Sequence, residues 1–218
     1  MVAEQLRRSE LARQQRIDEG HPVTNPVITI SRTMGSGGRI VARKLADDLG
    51  FSLWDRELID MIALEAEIPA TVVEAFDEKA VSDIELLVRG VLGDYESAGF
   101  MYQKHLAKTL ACIASVGNAI ILGRGANFLL RHALNVRMDA SLERRIVNML
   151  TYEDTDPVAA EQKIRKSDAE RRQFIRKTFG QKKVNCSHFD LCLWMDGFSA
   201  DDAVEIIKTA FKVRFKTR

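Results

Sequence analysis

The chain has 218 residues, with 32 Lys+Arg against 31 Asp+Glu and a formal net charge of +1. That length suits one large domain, or a core carrying a smaller insertion, and the near-zero charge excludes the global basic field of a general nucleic-acid binder. Its three cysteines form neither a CxxC pair nor an even framework, and its longest aliphatic runs, such as "AIIL" at 119–122, fall far short of the ~20 residues a bilayer span needs, so a soluble protein of the reducing cytoplasm is expected.

Residues 1–25 balance four Arg against four acids with few large apolar groups, which predicts a frayed N-terminal helix or arm ahead of a domain over 26–218. Pro22 and Pro26 precede "VITIS", a β-branched run that fits a buried central strand. After a glycine-rich turn, Ile40, Val41, Leu45 and Leu49 recur on one helical face, and Gly50 stands where a helix commonly stops. "FSLWD" is a second short strand. From Arg56 to about residue 100 the pattern is helical, acidic and broken by Pro69, Gly90, Gly93 and Gly99: residues 47–94 hold thirteen acids against three bases. This reads as a helical insertion.

Met101–Val116 is one longer helix with Leu106, Leu110 and Ile113 along its buried stripe. "NAIILGRGANFLL" follows as strand, glycine turn and helix, and "LNVRMDAS" as a strand ending at a serine placed to cap "LERRIVNML". Residues 158–179 are charged and mostly helical, and residues 161–183 carry nine bases against three acids. "FDLCLWMD" is the last strand; "SADDAVEIIKTAFKVRF" is the last helix, opened by the S-x-x-[DE] signal of Ser199 and Asp202. Strands alternating with helices predict a three-layer α/β/α sandwich with a parallel sheet and its sites at the carboxyl ends of the strands.

Gly35, Ser36, Gly37 and Gly38 fill the turn between the first strand and its helix, where unpaired N–H groups and the positive end of the helix attract anions. A phosphate loop of the pattern G-x-x-x-x-G-K-[ST] would continue with a lysine and a hydroxyl; this one continues Gly38, Arg39, Ile40. Arg39 keeps the charge of the missing lysine in a bidentate-capable guanidinium, one residue later. Ser36, Thr33 and Ser31 are the hydroxyls available to a magnesium-bound water, and spacing does not choose among them. Asp55 sits between the second strand and the next helix, where an aspartate can simply cap the helix, with the cation Arg56 beside it. Arg124, flanked by two glycines at a strand's carboxyl end, is placed to approach a bound anion. His105, His132 and His188 have no metal-ligand spacing with one another or with the cysteines.

The element order, with "ITISRTMGSGGRIVARKLADDLGFSLWDRELI", "ILGRGANFLL" and "SDAERRQFIRKTFG…HFDL", resembles the cytidylate kinase-like family of P-loop phosphotransferases over about residues 27–212. The resemblance implies a P-loop kinase-like domain, with residues 56–100 as an acceptor-binding insertion and 154–183 as a basic lid. It implies ATP with Mg2+ as donor, bound by Gly35, Ser36, Gly37, Gly38 and Arg39, and a small acceptor, most simply CMP or dCMP, bound by Asp55, Arg56 and Arg124. It gives the lid residues Asp168, Arg171 and Arg176 a part in transfer alongside Arg39, with Asp168 holding Arg171 through an i,i+3 pair. Aligned by its strands, the chain departs from that family's pattern at Arg32, which replaces the first loop glycine, at Gly38, which replaces the lysine, and at Met61, which replaces an acceptor-side arginine. Two other functions compete: a nucleotide-binding regulatory protein without efficient transfer, and a nucleic-acid-associated protein using residues 161–183, which lack the interleaved aromatics of a single-strand platform.

Overall fold

The computed structural model of the protein describes residues 1–20, 25–64, 98–180 and 184–216. Five strands, β1 (Val27–Arg32), β2 (Ser52–Trp54), β3 (Ala119–Leu122), β4 (Leu134–Asp139) and β5 (Leu191–Trp194), form one sheet in the order β2-β3-β1-β4-β5. Every pairing is parallel. The helices are α1 (Val2–Asp18), α2 (Gly38–Leu49), α3 (Arg56–Leu64), α4 (Ala98–Val116), α5 (Ala126–Leu129), α6 (Leu142–Tyr152), α7 (Pro157–Phe179) and α8 (Ala200–Phe215). Of the expected insertion over 56–100, residues 65–97 lie outside the described residues, as do 181–183 of the expected lid.

The strand pleat sorts side chains into two apolar layers, because consecutive residues of a strand face opposite sides. Val27, Ala119 and Ile121 face the layer that holds Leu58 and Ile59 of α3 and Leu106, Leu110 and Ile113 of α4. Ile28, Ile30, Ile120 and Leu122 face the other, with Val41 and Leu45 of α2 and Val204, Ile207 and Phe211 of α8. The three-layer α/β/α arrangement expected from the strand–helix alternation is therefore present. Its helix starts are set locally as well: Ser141 accepts from the Arg144 N–H at the head of α6, and Ser199 and Asp202 form a reciprocal capping box on α8.

The N-terminal segment departs from the expected frayed arm. α1 lies across the outer strand β2 and touches both layers, with Leu6 in one and Ala12 in the other. Gln5 Oε1 accepts the Leu53 N–H at 2.7 Å, Ser9 Oγ pairs with Ser52 Oγ at 2.7 Å, and Arg8 donates to the Ala46 carbonyl and to Asp47. An edge strand leaves a row of backbone groups without partners. α1 covers that edge with polar side chains and only a few apolar ones, which is why its composition looks like that of an arm.

Candidate functional site

β1 and β4 carry a ladder of polar side chains on one face. Thr29 Oγ1 donates to Asn135 Oδ1 at 2.6 Å, Arg137 Nη1 donates to Ser31 Oγ at 3.0 Å, and Thr33 Oγ1 donates to Asp139 Oδ1 at 2.7 Å. The first two rungs join residues directly opposite in the register. The ladder climbs from the core to the carboxyl ends of the strands and opens into a cavity of about 690 Å³, where Ser31, Thr33, Arg137 and Asp139 form part of the wall. Seven arginines line this cavity against three carboxylates.

Beside it runs the glycine turn, with Gly35 and Gly37 at φ of 80° and 82°, and Gly38 as the first residue of α2. Among the described residues the N–H groups of Gly37, Gly38 and Arg39 bond to no backbone carbonyl. They form the open amide cluster that an anion loop requires. The carbonyl side of the turn is tied down by α6: Arg145 Nε donates to the Met34 carbonyl at 2.6 Å and Asn148 Nδ2 to the Gly35 carbonyl at 2.7 Å. A Cβ on Gly35 would lie 2.7 Å from the Arg145 carbonyl oxygen, so only glycine brings the turn this close to α6.

The site residues read from the sequence divide into those the fold gathers and those it does not. Arg56, Arg124, Asp168 and Arg171 line the cavity. Arg124 stands at φ 53° between Gly123 and Gly125 at 88° and 66°, its guanidinium hydrogen-bonded to Asp60 and lying 4.7 Å over the Phe174 ring. Asp60 also accepts from the Tyr102 hydroxyl at 2.8 Å, and desolvation together with this bond pushes the Tyr102 phenol up to about 12. Arg171 donates to the Arg32 carbonyl and to Ser167 Oγ.

The expected i,i+3 pair of Asp168 with Arg171 is replaced by a tertiary one. Asp168 takes both oxygens to Arg145 Nη2, at 2.9 and 2.8 Å, because α6 packs alongside α7 there. Asp55 accepts the Leu58 N–H at 3.1 Å as the cap of α3 and does not line the cavity. Arg39 is exposed, donating to Glu57 at 3.1 Å with Asp55 at 3.9 Å, and it too lies off the cavity wall. Ser36 is buried with its hydroxyl donated to the Thr33 carbonyl at 2.9 Å. Arg176 is on the exposed face of α7.

Several residues of the site were not singled out from the sequence, namely Arg137, Asp139 and Arg145 on the wall and Asp60, the acid that pairs with Arg124 and Arg56. For Arg137 and Asp139 a signal was available: polar residues at alternate positions of "LNVRMD", at the end of an otherwise apolar strand, mark a face turned to something other than core. For Arg145 and Asp60 there was none, since both act through tertiary partners.

Residues 27–197 match the cytidylate kinase-like family. The chain belongs to that family. The kinase-like reading of its fold thus has a sequence basis beyond the strand order. A solved structure of an uncharacterized protein from Eubacterium ventriosum ATCC 27560 shares the fold at 19% identity and a TM-score of 0.59, the match covering 88% of this chain and 99% of that one. Shikimate kinases from Bacteroides thetaiotaomicron and, in complex with shikimate, from Acinetobacter baumannii are both 14% identical, with TM-scores of 0.45 and 0.46. Those matches cover 86% and 88% of this chain and 98% and 96% of theirs. No curated protein matches the sequence.

Among the described residues no three His, Cys, Asp or Glu side chains cluster as a metal site, and no helix is long and apolar enough to cross a membrane. Mg2+ at a phosphoryl-transfer site asks for less, one or two carboxylates with the substrate phosphates supplying the rest. Asp139 fits that requirement. It stands one residue past the strand position opposite Arg32, with Thr33 hydrogen-bonded to it.

Proposed function

We propose that the protein is an ATP-dependent phosphotransferase that moves the γ-phosphoryl group to a small phosphorylated acceptor, most simply CMP or dCMP. The observation that carries this reading is the junction of an open amide turn, Gly37 to Arg39, with an arginine-lined cavity at the strand ends. The turn holds the donor phosphates through its N–H groups. Arg56 and Arg124 meet the acceptor, and two buried donors on that wall, Arg124 Nε and Asn127 Nδ2, lack a protein acceptor among the described residues. Arg171 meets the transferring group, and Asp168 positions the turn through Arg145. Asp55 contributes by starting α3 and so fixing Arg56; Arg176 would join only if α7 moved inward.

In the reaction an acceptor phosphate oxygen bonds to the γ-phosphorus as the bond to the β–γ bridging oxygen breaks, leaving ADP. Little covalent chemistry falls to the protein, so positioning and charge dominate. Mg2+, held by Asp139 and Thr33, would neutralise charge on the phosphates. Incubation with ATP, Mg2+ and a panel of nucleoside monophosphates should give a phosphorylated acceptor, and Arg171→Ala should cut turnover by ~10³–10⁵-fold with affinities within a few-fold of wild type. Wild-type protein that transfers to no acceptor in the panel would sink this reading.

A second reading, nucleotide binding for regulation without efficient transfer, draws on one observation: the Arg39 guanidinium is taken by Glu57 and the Ser36 hydroxyl by Thr33, so neither stands free at the loop. Calorimetry that finds ATP binding with no turnover on any acceptor would favour it.

A further inference from the structure

Four of the cavity arginines have a carboxylate: Arg124 and Arg56 share Asp60, Arg145 has Asp168 and Arg137 has Asp139. Arg32, at the end of β1, has none within 4 Å among the described residues. Its neighbours make matters worse. Burial first, then the charges of Arg171 and Arg39, push its guanidinium down to about 9, with Glu57 opposing them, so it remains charged at neutral pH. A partly buried cation with like charges around it and no counter-ion is costly. Such costs persist where a ligand completes the site.

The path of the side chain shows where that ligand would sit. A Cβ on Gly38 would lie 2.8 Å from Arg32 Cβ and 2.9 Å from Cγ, so the Arg32 stem fills the space that any side chain at position 38 would need. A Cβ on Gly123 would collide with Arg32 Nη1. The side chain therefore runs in a slot floored by two glycines, from the amide turn at its base to the Gly123–Gly125 turn beside Arg124 at its tip. Position 38 is also the one that aligns with the missing loop lysine. A lysine at 38 and an arginine at 32 are sterically exclusive, and here the cation stands on the strand.

We propose that Arg32 is the phosphate-binding cation of this site, gripping the outer phosphates of the donor in the place a loop lysine would otherwise fill, while Arg39 serves to fasten α2 to α3. The assignment rests on the phosphotransferase reading for the identity of the donor, but not for the anion site itself. Arg32 also carries Arg171 on its carbonyl, so a second cation, from α7, is fixed beside it.

The test uses full-length protein, with Arg32→Met keeping the stem and removing the charge, and calorimetric titration with ATP and with inorganic tripolyphosphate. Arg32→Met should bind both at least tenfold more weakly than wild type, and the loss should exceed that from Arg39→Met. The ligand-free thermal midpoint should be equal or higher in Arg32→Met, because a charge without a partner has been removed; a structural arginine would lower it. Wild-type-like affinity in Arg32→Met, a larger loss in Arg39→Met, or a clear fall in the ligand-free midpoint overturns the proposal. Tripolyphosphate binding that depends on Arg32 without any ATP binding upholds Arg32 and sinks the nucleotide reading; wild-type protein that binds neither overturns both.

Discussion

Asp168→Asn tests whether α7 holds the glycine turn through Arg145. The side chain is isosteric, so packing is kept while the charge and one acceptor are lost. Arg145 is 8% exposed at its side chain and Asp168 18%, and they meet through two hydrogen bonds at 2.9 and 2.8 Å. Removing one partner of a buried pair costs ~3–5 kcal/mol because the other charge is left uncompensated. The partial exposure of Asp168 admits solvent and lowers this to roughly 2–3 kcal/mol. For a chain of this size each kcal/mol moves the midpoint by about 2–4 °C, so thermal unfolding should shift down by about 4–12 °C. The Arg145 guanidinium also holds the Met34 carbonyl at 2.6 Å, so amide exchange at residues 34–38 should accelerate beyond the global change. The double variant Arg145→Met/Asp168→Leu should recover part of the lost stability, since it leaves no orphaned charge. A midpoint within 1 °C of wild type with unchanged exchange at 34–38 would refute the clamp.

Two further outcomes are expected. Leu6→Ala should lower stability by ~2 kcal/mol, the low end for a leucine at the margin of a core, because Leu6 is only 9% exposed against α4 and β2; denaturant titration that finds no change would return α1 to the status of a loose arm. Glu57 is pulled upward by desolvation, but its backbone hydrogen bond and then Arg39, Arg56 and Arg32 outweigh this and hold its pKa below 4.5. A depressed folded value means its contribution is fully present above pH 4.5 and lost as pH falls through that lower value, so the stability gap between wild type and Glu57→Gln should close on acidification. A gap that is constant or widens there would show that Glu57 is not bound to these arginines.

The sheet was legible because parallel strands buried on both faces must be nearly continuous apolar runs, and "VITIS" and "AIIL" are that, while the edge strand in "FDLCLW" keeps the alternation of strand with helix. The glycine turn was legible because a strand ending in small residues ahead of an amphipathic helix has few alternatives. The partners of the charged residues were not. Spacing along a helix gives Asp168 to Arg171, three residues on, whereas the packing of α6 on α7 gives it to Arg145, twenty-three residues back. Spacing likewise gives Arg39 to a phosphate, whereas α3 brings Glu57 against it. An N-terminal helix was expected but its docking was not, for a related reason: α1 buries Leu6, Ser9 and Ala12 in seventeen residues, and its hold on β2 depends on polar contacts that leave no periodic mark.

The divergent loop changes where charge is stored. In the G-x-x-x-x-G-K-[ST] pattern the cation belongs to the helix that begins at the loop, but here the arginine whose stem fills the space beside Gly38 rises from β1, in a sheet paired on both sides, and bears α7 on its carbonyl. α7 joins the body through Phe174 and Phe179 packed on the α3–α4 layer, through a small apolar cluster of Met149, Ala160 and Ile164, and through polar ties that include Arg145 to Asp168 and Arg171 to Arg32. Both ties end on the cavity wall. Seven arginines against three carboxylates give that wall a positive potential, which favours an anion there. The wall thus sets one cation on the sheet, Arg32, beside one on the helix, Arg171, with the Arg32 carbonyl joining them.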